Sequence, residues 1–282
     1  MDQIKSNENR KIAAPSPLCG HPPDSSFLKA HKKVCGLCGS FWDLESLTNE
    51  TEYRKDYSSS RFHYDNAVGI IKVKTLQRWL TSLSIDVSEL VVCEVGFGGG
   101  WTLRYFHEHA RSAYGIELLR SNLDFAAEIG IPVQRLFQFK MLPDTLPEKV
   151  DLWIFQDSFE HIDEPSKFLA WALANSDHPR TLLVAPRADS LSERILGRYW
   201  PHKVDDHKFH WSKPGIIEFF EHHNMKLKNE FFPTKYVSLK TIFAHIGHKF
   251  NWPLFGILAE RIGFTFAIPF NFGEMGLLFS ER

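Results

Sequence analysis

The sequence predicts an α/β fold with a mostly parallel central sheet, and three observations support this prediction. Short apolar stretches alternate with amphipathic stretches of helical length between about residues 90 and 185. Strands that alternate with helices pair in parallel, because each right-handed crossover brings the chain back to the end of the sheet where the previous strand began. A glycine-rich turn follows the first strand, and two further strand-like stretches near 227–237 and 274–280 bring the total to seven strands.

The individual elements follow from apolar periodicity and from helix-start signals. A helix is predicted over residues 66–83, where apolar side chains recur at helical spacing, and another over 213–223, where Ser212 and Pro214 mark its start. The first five strands are predicted near 90–95, 113–117, 132–136, 151–156 and 181–185. The helices between these strands are predicted near 101–110, 119–129 and 165–175.

The most informative stretch is the run from Val91 to Gly100, in which an apolar strand reaches Glu94 and then a series of glycines. Gly96 and Gly98 allow a tight turn and a close approach of the backbone to a ligand, because neither carries a Cβ. The helix that follows offers free N–H groups and a positive dipole end. A strand, a glycine turn and a helix start together predict a site for an adenosine-containing ligand.

Two details decide between the ligands that such a turn can hold. The dinucleotide pattern requires a third glycine for close packing of the helix on the strand, and Trp101 occupies that position. Glu94 lies just before the turn, where a carboxylate would repel a pyrophosphate and attract an ammonium and a sulfonium group. The pattern therefore favours S-adenosylmethionine (SAM) over NAD, and disfavours an NAD-dependent oxidoreductase.

A second acidic residue supports this choice of ligand. Glu117 ends the next predicted strand, and an acid about 20 residues beyond the glycines accepts hydrogen bonds from ribose hydroxyls in nucleotide-binding α/β units. Alternatively, Glu117 caps the helix that follows it.

Three further stretches carry a resemblance to a known family. They are, in chain order, Val150–Pro165, Leu182–Pro186 and the group Trp200, His207, Phe209, His210 and Trp211-Ser212. With the glycine turn they resemble the class I SAM-dependent methyltransferases, and among these the enzymes related to ubiquinone and menaquinone biosynthesis. The resemblance covers residues 88–237 and implies a Rossmann-like, seven-stranded, mostly parallel sheet with helices on both faces.

The resemblance also implies which residues hold the cofactor. Asp157 stands where the family holds the methionine part of SAM. Gln138 stands where many members carry an acid for the adenine amino group, so its side-chain carbonyl or the backbone would replace that acid. The expected cofactor-binding residues are Glu94, Gly96, Phe97, Gly98, Glu117, Gln138 and Asp157.

Two histidines are candidate general bases for an acceptor that must lose a proton. His161 follows the fourth strand and His207 follows the fifth, and ligands of open α/β sheets bind beyond the carboxyl ends of strands. The unperturbed pKa of an imidazole near neutrality suits this role. Alternatively, Glu160 and His161 only stabilise the loop before the next helix, and the histidine-rich stretch 202–210 is solvated or binds a metal ion.

The N-terminal part of the chain contains three of the four cysteines. Cys35 and Cys38 have the spacing of a metal knuckle, in which a glycine lets the loop fold around the ion. Cys19 lies in a second, incomplete knuckle. The resemblance to the four-cysteine zinc modules of sugar C-methyltransferases implies a structural Zn²⁺ held by Cys19, Cys35 and Cys38, with His21 as the nearest replacement ligand. Alternatively, the module folds around its aromatic residues without a metal ion.

These assignments divide the chain into a flexible tail at 1–17, a small zinc-knuckle-like module at 18–60 and a methyltransferase domain at 61–282. An apolar helical insertion is predicted near 238–265. It would add core packing or a dimer contact, cap the substrate pocket, or contact a membrane or lipid surface.

Composition limits the partners and the compartment. The formal net charge is -1, which argues against a nucleic acid held by bulk positive charge. The N-terminus lacks the apolar core of a secretory signal, and four cysteines in a chain of this length do not suggest a disulfide framework. We therefore expect a cytoplasmic enzyme.

The expected activity is methyl transfer from SAM to a small-molecule acceptor through an oxygen, carbon or nitrogen centre. The alternative is a non-catalytic SAM-fold protein that contacts a partner through its N-terminal module.

Overall fold

The computed structural model describes residues 19–22, 25–29, 32–43, 64–204, 207–238 and 267–282, together with five isolated positions between 239 and 266. The predicted tail and nearly all of the predicted insertion lie outside the described residues. Among the residues that are described, no helix is both long and apolar enough to span a lipid bilayer.

The described residues form thirteen strands and six α-helices. The strands are β1 (Ser26–Lys29), β2 (Lys32–Cys35), β3 (Phe41–Asp43), β4 (Val91–Val95), β5 (Ser112–Glu117), β6 (Leu136–Gln138), β7 (Leu152–Gln156), β8 (Arg180–Pro186), β9 (Phe209–His210), β10 (Met225–Phe231), β11 (Lys235–Ser238), β12 (Ala267–Phe270) and β13 (Glu274–Glu281). The helices are α1 (Asn66–Ser82), α2 (Trp101–His109), α3 (Arg120–Glu128), α4 (Pro165–Ala174), α5 (Leu191–Leu196) and α6 (Lys213–His222).

Seven strands form the central sheet in the order β10-β13-β8-β7-β4-β5-β6. The pairs from β8 through β6 are parallel, and β13 runs antiparallel to both of its neighbours. This arrangement confirms the predicted Rossmann-like fold. The strand order reverses between β4 and β7, and in open α/β sheets ligands bind in the crevice at such a point.

Apolar side chains cover both faces of the sheet. Along β4 successive side chains alternate between the faces, so that Val91, Cys93 and Val95 belong to one core and Val92 belongs to the other. The strand is buried throughout its length, as expected for a parallel strand with helices on either side. The rigid centre of the sheet thus lies directly beneath the glycine turn.

Two strand predictions were wrong in position. The strand predicted at 132–136 lies at Leu136–Gln138, because Pro132 starts a 3₁₀ turn over Val133–Arg135. The single strand predicted at 227–237 is two strands, because Pro233 lies between β10 and β11 and has no N–H group to donate to a ladder. The second of them, β11, pairs antiparallel with β12 in a separate two-stranded sheet.

The N-terminal residues share a sheet with the larger domain. The order of this small sheet is β1-β2-β3-β9, and Trp42 in β3 pairs with Phe209 in β9. Ser40 and Ser212 hydrogen bond through their hydroxyls at 3.0 Å. A Cβ at Gly215 would lie 2.9 Å from the sulfur of Cys38, so α6 lies directly against the cysteine-containing segment. The described part of the predicted module is therefore packed into the domain, and its boundaries at 18–60 stay a prediction.

Candidate functional site

The glycine turn (residues 96–100) requires glycine for both conformation and space. Gly96 and Gly98 adopt φ angles of 72° and 57°, in the left-handed region that side chains disfavour. A Cβ at Gly96 would lie 2.4 Å from the Cβ of Ser158, which belongs to the loop after β7. Ser158 in turn donates a hydrogen bond to the carbonyl of Val95 at 2.7 Å. The turn is thus held against the carboxyl end of the neighbouring strand.

Two aromatic residues beside the turn pack against neighbouring parts of the fold. The ring of Phe97 is buried in the core beside Gly115, where an added Cβ would lie 2.7 Å from that ring. A cofactor contact from Phe97 would therefore come from its backbone. Trp101 packs on Gly69 of α1, where an added Cβ would lie 2.4 Å from the indole. The bulk of Trp101 is accommodated by this close approach of α1 to α2.

Glu94 lies beneath the turn rather than at its open mouth. Its side chain is 2 % exposed, and its Oε1 accepts hydrogen bonds from Thr102 at 2.6 Å and Gln156 at 2.9 Å. Its Oε2 is also buried and has no hydrogen-bond partner among the described residues. A buried acceptor without a partner is costly, and a donor from a ligand would relieve that cost.

Burial raises the pKa of Glu94 from 4.5 to about 7, although Thr102 and the ammonium of Lys72 oppose that shift. Burial also lowers the pKa of Lys72, and the carboxylates of Asp157 and Glu94 counteract this effect. Glu94 therefore holds a proton more tightly than an exposed glutamate does, and a cationic ligand group would favour its charged form. Sequence analysis did not identify Lys72 as a partner for this acid.

Glu117 holds the glycine turn and the start of α3 at the same time. Its Oε2 accepts from the N–H of Gly98 at 2.9 Å, and its Oε1 accepts from the N–H groups of Leu118 and Leu119 at 2.7 and 3.1 Å. Burial raises the pKa of Glu117, while these three N–H groups act in the opposite direction. Gln138 ends the adjacent strand and is paired in register with Glu117. Both side chains thus belong to the rim of the crevice beside the glycine turn.

Asp157 directly follows β7 at the edge of the same crevice. It adopts a φ angle of 50°, which is uncommon for a residue with a side chain and is often found at functional sites. Its two carboxylate oxygens accept from the Nζ of Lys235 at 2.7 and 2.5 Å. Lys235 also donates to Glu274 at 2.7 Å, and Glu274 lies 3.3 Å from the Nε2 of His202. Sequence reasoning missed both Lys235 and Glu274.

These ions form a connected network. Burial lowers the pKa of Lys235, but the Asp157 and Glu274 carboxylates outweigh that effect and keep the net pKa above its ordinary value. Burial would raise the pKa of Glu274, but Lys235 and His202 hold it at about 2. Both partners are therefore charged at neutral pH.

The structure brings the two candidate bases together. The rings of His161 and His207 lie 4.7 Å apart, and the Nε2 of His207 lies 3.9 Å from a carboxylate oxygen of Glu160. Burial lowers the pKa of His207 well below its usual value, and the nearby His161 adds to that effect. His207 is therefore a neutral imidazole. We call Glu160, His161 and His207 the histidine cluster.

The structure also brings together Cys19, His21, Cys35 and Cys38, which we call the cysteine cluster. Their ligand atoms all lie within 4.8 Å of one another. The Nδ1 of His21 lies 3.3 Å from the sulfur of Cys19 and 3.6 Å from that of Cys35. Zn–S and Zn–N bonds of about 2.3 and 2.0 Å in a tetrahedron separate the donor atoms by about 3.5 Å. Three thiolates and an imidazole at these distances fit a closed zinc site.

This geometry agrees with comparisons to known proteins. Residues 71–228, more than half of the chain, match the family described as "Methyltransferase domain". No curated protein sequence matches the chain significantly. A strand–glycine turn–helix unit, an acid at the end of the second central strand and this strand order define a class I SAM-dependent methyltransferase. The chain belongs to the methyltransferase domain family.

Solved structures with a similar fold come from several bacteria. The YcgJ protein from Bacillus subtilis is 14 % identical, with a TM-score of 0.50, and the match covers 74 % of this chain and 98 % of that protein. A SAM-dependent methyltransferase from Aquifex aeolicus is 13 % identical, with a TM-score of 0.47 and coverages of 80 % and 99 %. Magnesium protoporphyrin IX methyltransferase from Synechocystis PCC 6803 is 15 % identical, with a TM-score of 0.46 and coverages of 76 % and 84 %. At such identities the likeness concerns the fold alone.

Proposed function

We propose that this enzyme binds SAM against the glycine turn and transfers its methyl group to a small molecule held beside the histidine cluster. The observation that carries the proposal is the buried, unpartnered Oε2 of Glu94 next to a turn in which a Cβ at Gly96 would collide with the neighbouring loop. An ammonium group would satisfy that oxygen, and the bare backbone would allow a close approach of the ligand.

Each cofactor-side residue has a distinct part in this proposal. When bound, SAM supplies an electrophilic methyl group on a sulfonium leaving group. Glu117 keeps the glycine turn in place through Gly98 and would accept from ribose hydroxyls with its remaining lone pairs. Glu94 and Asp157 supply negative charge for the cationic groups. Gln138, next to Glu117 in the sheet, would contact the adenine.

The acceptor side is proposed at the histidine cluster because it adjoins the cofactor loop. Ser158, which contacts the glycine turn, lies three residues before His161. As long as no metal ion is bound at the histidine cluster, His161 or His207 would take up the proton that the acceptor loses. Glu160 is 1 % exposed and His207 is 9 % exposed, so only a small acceptor would reach this cluster. An imidazole base is compatible with an oxygen, carbon or nitrogen acceptor.

The cysteine cluster is proposed as a structural zinc site rather than a catalytic one. Four protein donors leave no open position on a tetrahedral ion. The cluster is joined to the acceptor side through β3 and β9, and the ring of Phe41 stacks on His210 at 4.4 Å. Zinc would therefore fix the strand that follows His207. Four cysteines in a chain of this length do not suggest a disulfide framework, so the proposed setting for the enzyme is a reducing cytoplasm.

The function is tested by incubating the full chain with isotopically methyl-labelled SAM and whole cell extracts, followed by mass spectrometry of the small-molecule and macromolecule fractions. We expect one compound to gain a labelled methyl group with the wild-type protein and not with Gly96→Val. A protein that binds SAM and labels nothing in any extract would support the non-catalytic alternative. Labelling of macromolecules alone would contradict the small-molecule assignment.

A further inference from the structure

The histidine cluster combines three metal-binding side chains at one point. One ligand atom from each of Glu160, His161 and His207 lies within 4.8 Å of the others. Glu160 and His161 come from the 3₁₀ turn Phe159–His161 after β7, whereas His207 comes from the segment before β9. The chain therefore converges on this point from two segments about 45 residues apart.

We propose that Glu160, His161 and His207 bind a divalent transition-metal ion, at a site separate from the cysteine cluster. Two imidazoles and one carboxylate suit zinc, iron and related first-row ions, and they do so with positions left open on the metal. The contact between His207 and Glu160 at 3.9 Å is within the range that two ligands of one ion span.

The surroundings would hold such an ion firmly. Glu160 is 1 % exposed and Phe159 is fully buried, so the carboxylate attracts a cation in a medium of low dielectric constant. The ring of Phe159 lies between 5.2 and 6.0 Å from the rings of Phe155 and Trp211. This packing fixes the 3₁₀ turn, and rigid support is what a metal site requires of its ligands.

The third ligand is positioned by the N-terminal sheet. His207 lies two residues before β9, and β9 is paired with β3 through Trp42–Phe209 and Phe41–His210. The ring of His202 is stacked beside that of His207, with 6.4 Å between the ring centroids. The Nε2 of His202 in turn lies 3.3 Å from the carboxylate of Glu274. The ion site therefore adjoins the network of charges that ends at Asp157, on the cofactor side of the crevice.

The consequence for catalysis rests on the proposed function. An acceptor hydroxyl bound at an open metal position would have a lowered pKa and would release its proton to solvent. The resulting oxygen anion would form a bond to the methyl carbon while the electron pair of the carbon–sulfur bond returns to sulfur. With an ion bound, the two imidazoles promote loss of the acceptor's proton through the ion rather than by taking it up. The acceptor class narrows to hydroxyl or enolisable carbonyl compounds.

The test is metal binding to the full chain after chelator treatment, with Co²⁺ and Zn²⁺ as probes. We expect two ions per wild-type chain by elemental analysis and one ion per chain in each of Glu160→Gln, His161→Gln and His207→Gln. The ion that remains in these variants should show the strong thiolate charge-transfer absorption of a cysteine site. The matched control His223→Gln removes an imidazole that hydrogen bonds to the carbonyl of Phe219 in α6, and it should keep both ions.

The complementary variant Cys35→Ser should keep one Co²⁺ with weak visible bands and no thiolate charge transfer. Two ions in all three histidine-cluster variants, or only a thiolate-bound ion in the wild type, would overturn the proposal.

Calorimetry with S-adenosylhomocysteine (SAH) on the same samples separates this proposal from the proposed function. SAH binding without the second ion would refute the metal site alone. The second ion without SAH binding would refute the cofactor assignment alone.

Discussion

The two sides of the crevice are built in different ways. On the cofactor side, Glu94, the glycine turn and Glu117 lie within 24 consecutive residues. Glu94 and Glu117 accept hydrogen bonds from Thr102 and Gly98 inside this stretch, and Glu94 accepts one further bond from the more distant Gln156. On the acceptor side, the important contacts join residues far apart, such as Glu160 with His207 and Phe41 with His210. The cofactor side is therefore a local motif, whereas the acceptor side exists only once the whole domain has folded.

The chemistry of the two sides differs in the same way. The cofactor side presents buried carboxylates, one of which has an unpartnered oxygen. The acceptor side presents the neutral imidazole of His207 near the charged pair of Lys235 and Glu274. Changes to Glu94 or to the glycine turn should alter cofactor affinity directly. A change to Lys235, which joins Asp157 to Glu274, should mainly alter stability and should affect the cofactor only through Asp157. The following predictions separate these effects.

The largest effect is expected from Gly96→Ala. The added Cβ meets Ser158 at 2.4 Å in a left-handed backbone conformation, so the turn must move. We expect SAH affinity to fall at least 100-fold, which corresponds to about 2.8 kcal/mol, as measured by calorimetry.

Gly130→Ala is the matched control, because Gly130 also has a positive φ but no atom within 4 Å of an added Cβ. It should cost about 1–2 kcal/mol of stability and leave SAH affinity unchanged. Equal affinities in the two variants would contradict the role of the turn.

Glu94→Gln is expected to have a smaller effect on SAH affinity than Gly96→Ala, and it should raise the stability of the protein. The folded-state pKa of Glu94 is raised from 4.5 to about 7, so the folded state binds the proton more tightly than the unfolded state between these values. Wild-type stability should therefore fall as the pH rises from about 4.5 to about 7. Glu94→Gln lacks this loss and should be more stable at pH ~8 by on the order of 1–3 kcal/mol.

The same substitution removes charge from the cofactor side, so SAH affinity should fall by roughly tenfold to 100-fold. Urea unfolding at pH ~5 and pH ~8 gives the stability difference, and calorimetry gives the affinity. The exposed Glu89→Gln serves as the control and should change neither quantity. A stability gain that is the same at both pH values would rule out Glu94 as the titrating group.

The smallest change in affinity is expected from Lys235→Met. Lys235 neutralises Asp157 and Glu274, and its loss leaves two carboxylates without their cation. We expect a loss of about 2–4 kcal/mol in stability, measured by urea unfolding. The freed Asp157 should attract the amino group of the ligand more strongly, so SAH affinity should rise by roughly threefold to tenfold. Unchanged or weaker SAH binding in a folded variant would remove Asp157 from the cofactor site.

The comparison between the two sides of the crevice also explains which parts of the fold and site could be predicted from the sequence. The glycine turn and Glu117 could be recognised because their residues are close in the chain and their spacing reflects local geometry. The spacing of Cys35 and Cys38 could be recognised for the same reason. Lys235 could not be recognised, because Pro233 separates it from the central sheet and only tertiary packing brings it to Asp157. The inward orientation of the Phe97 ring could not be predicted either, because the alternation of side chains between the two faces of a strand does not continue into a turn.

The crevice beside the glycine turn is proposed to hold a sulfonium cofactor, and competitive calorimetry tests this most directly. Wild-type protein is titrated with SAH, with SAM and with NAD⁺, each also in the presence of the others. We expect SAH and SAM to bind one molecule per chain and to exclude each other, with no saturable heat from NAD⁺. Saturable NAD⁺ binding that SAH displaces, or no binding of either SAM or SAH, would contradict the assignment.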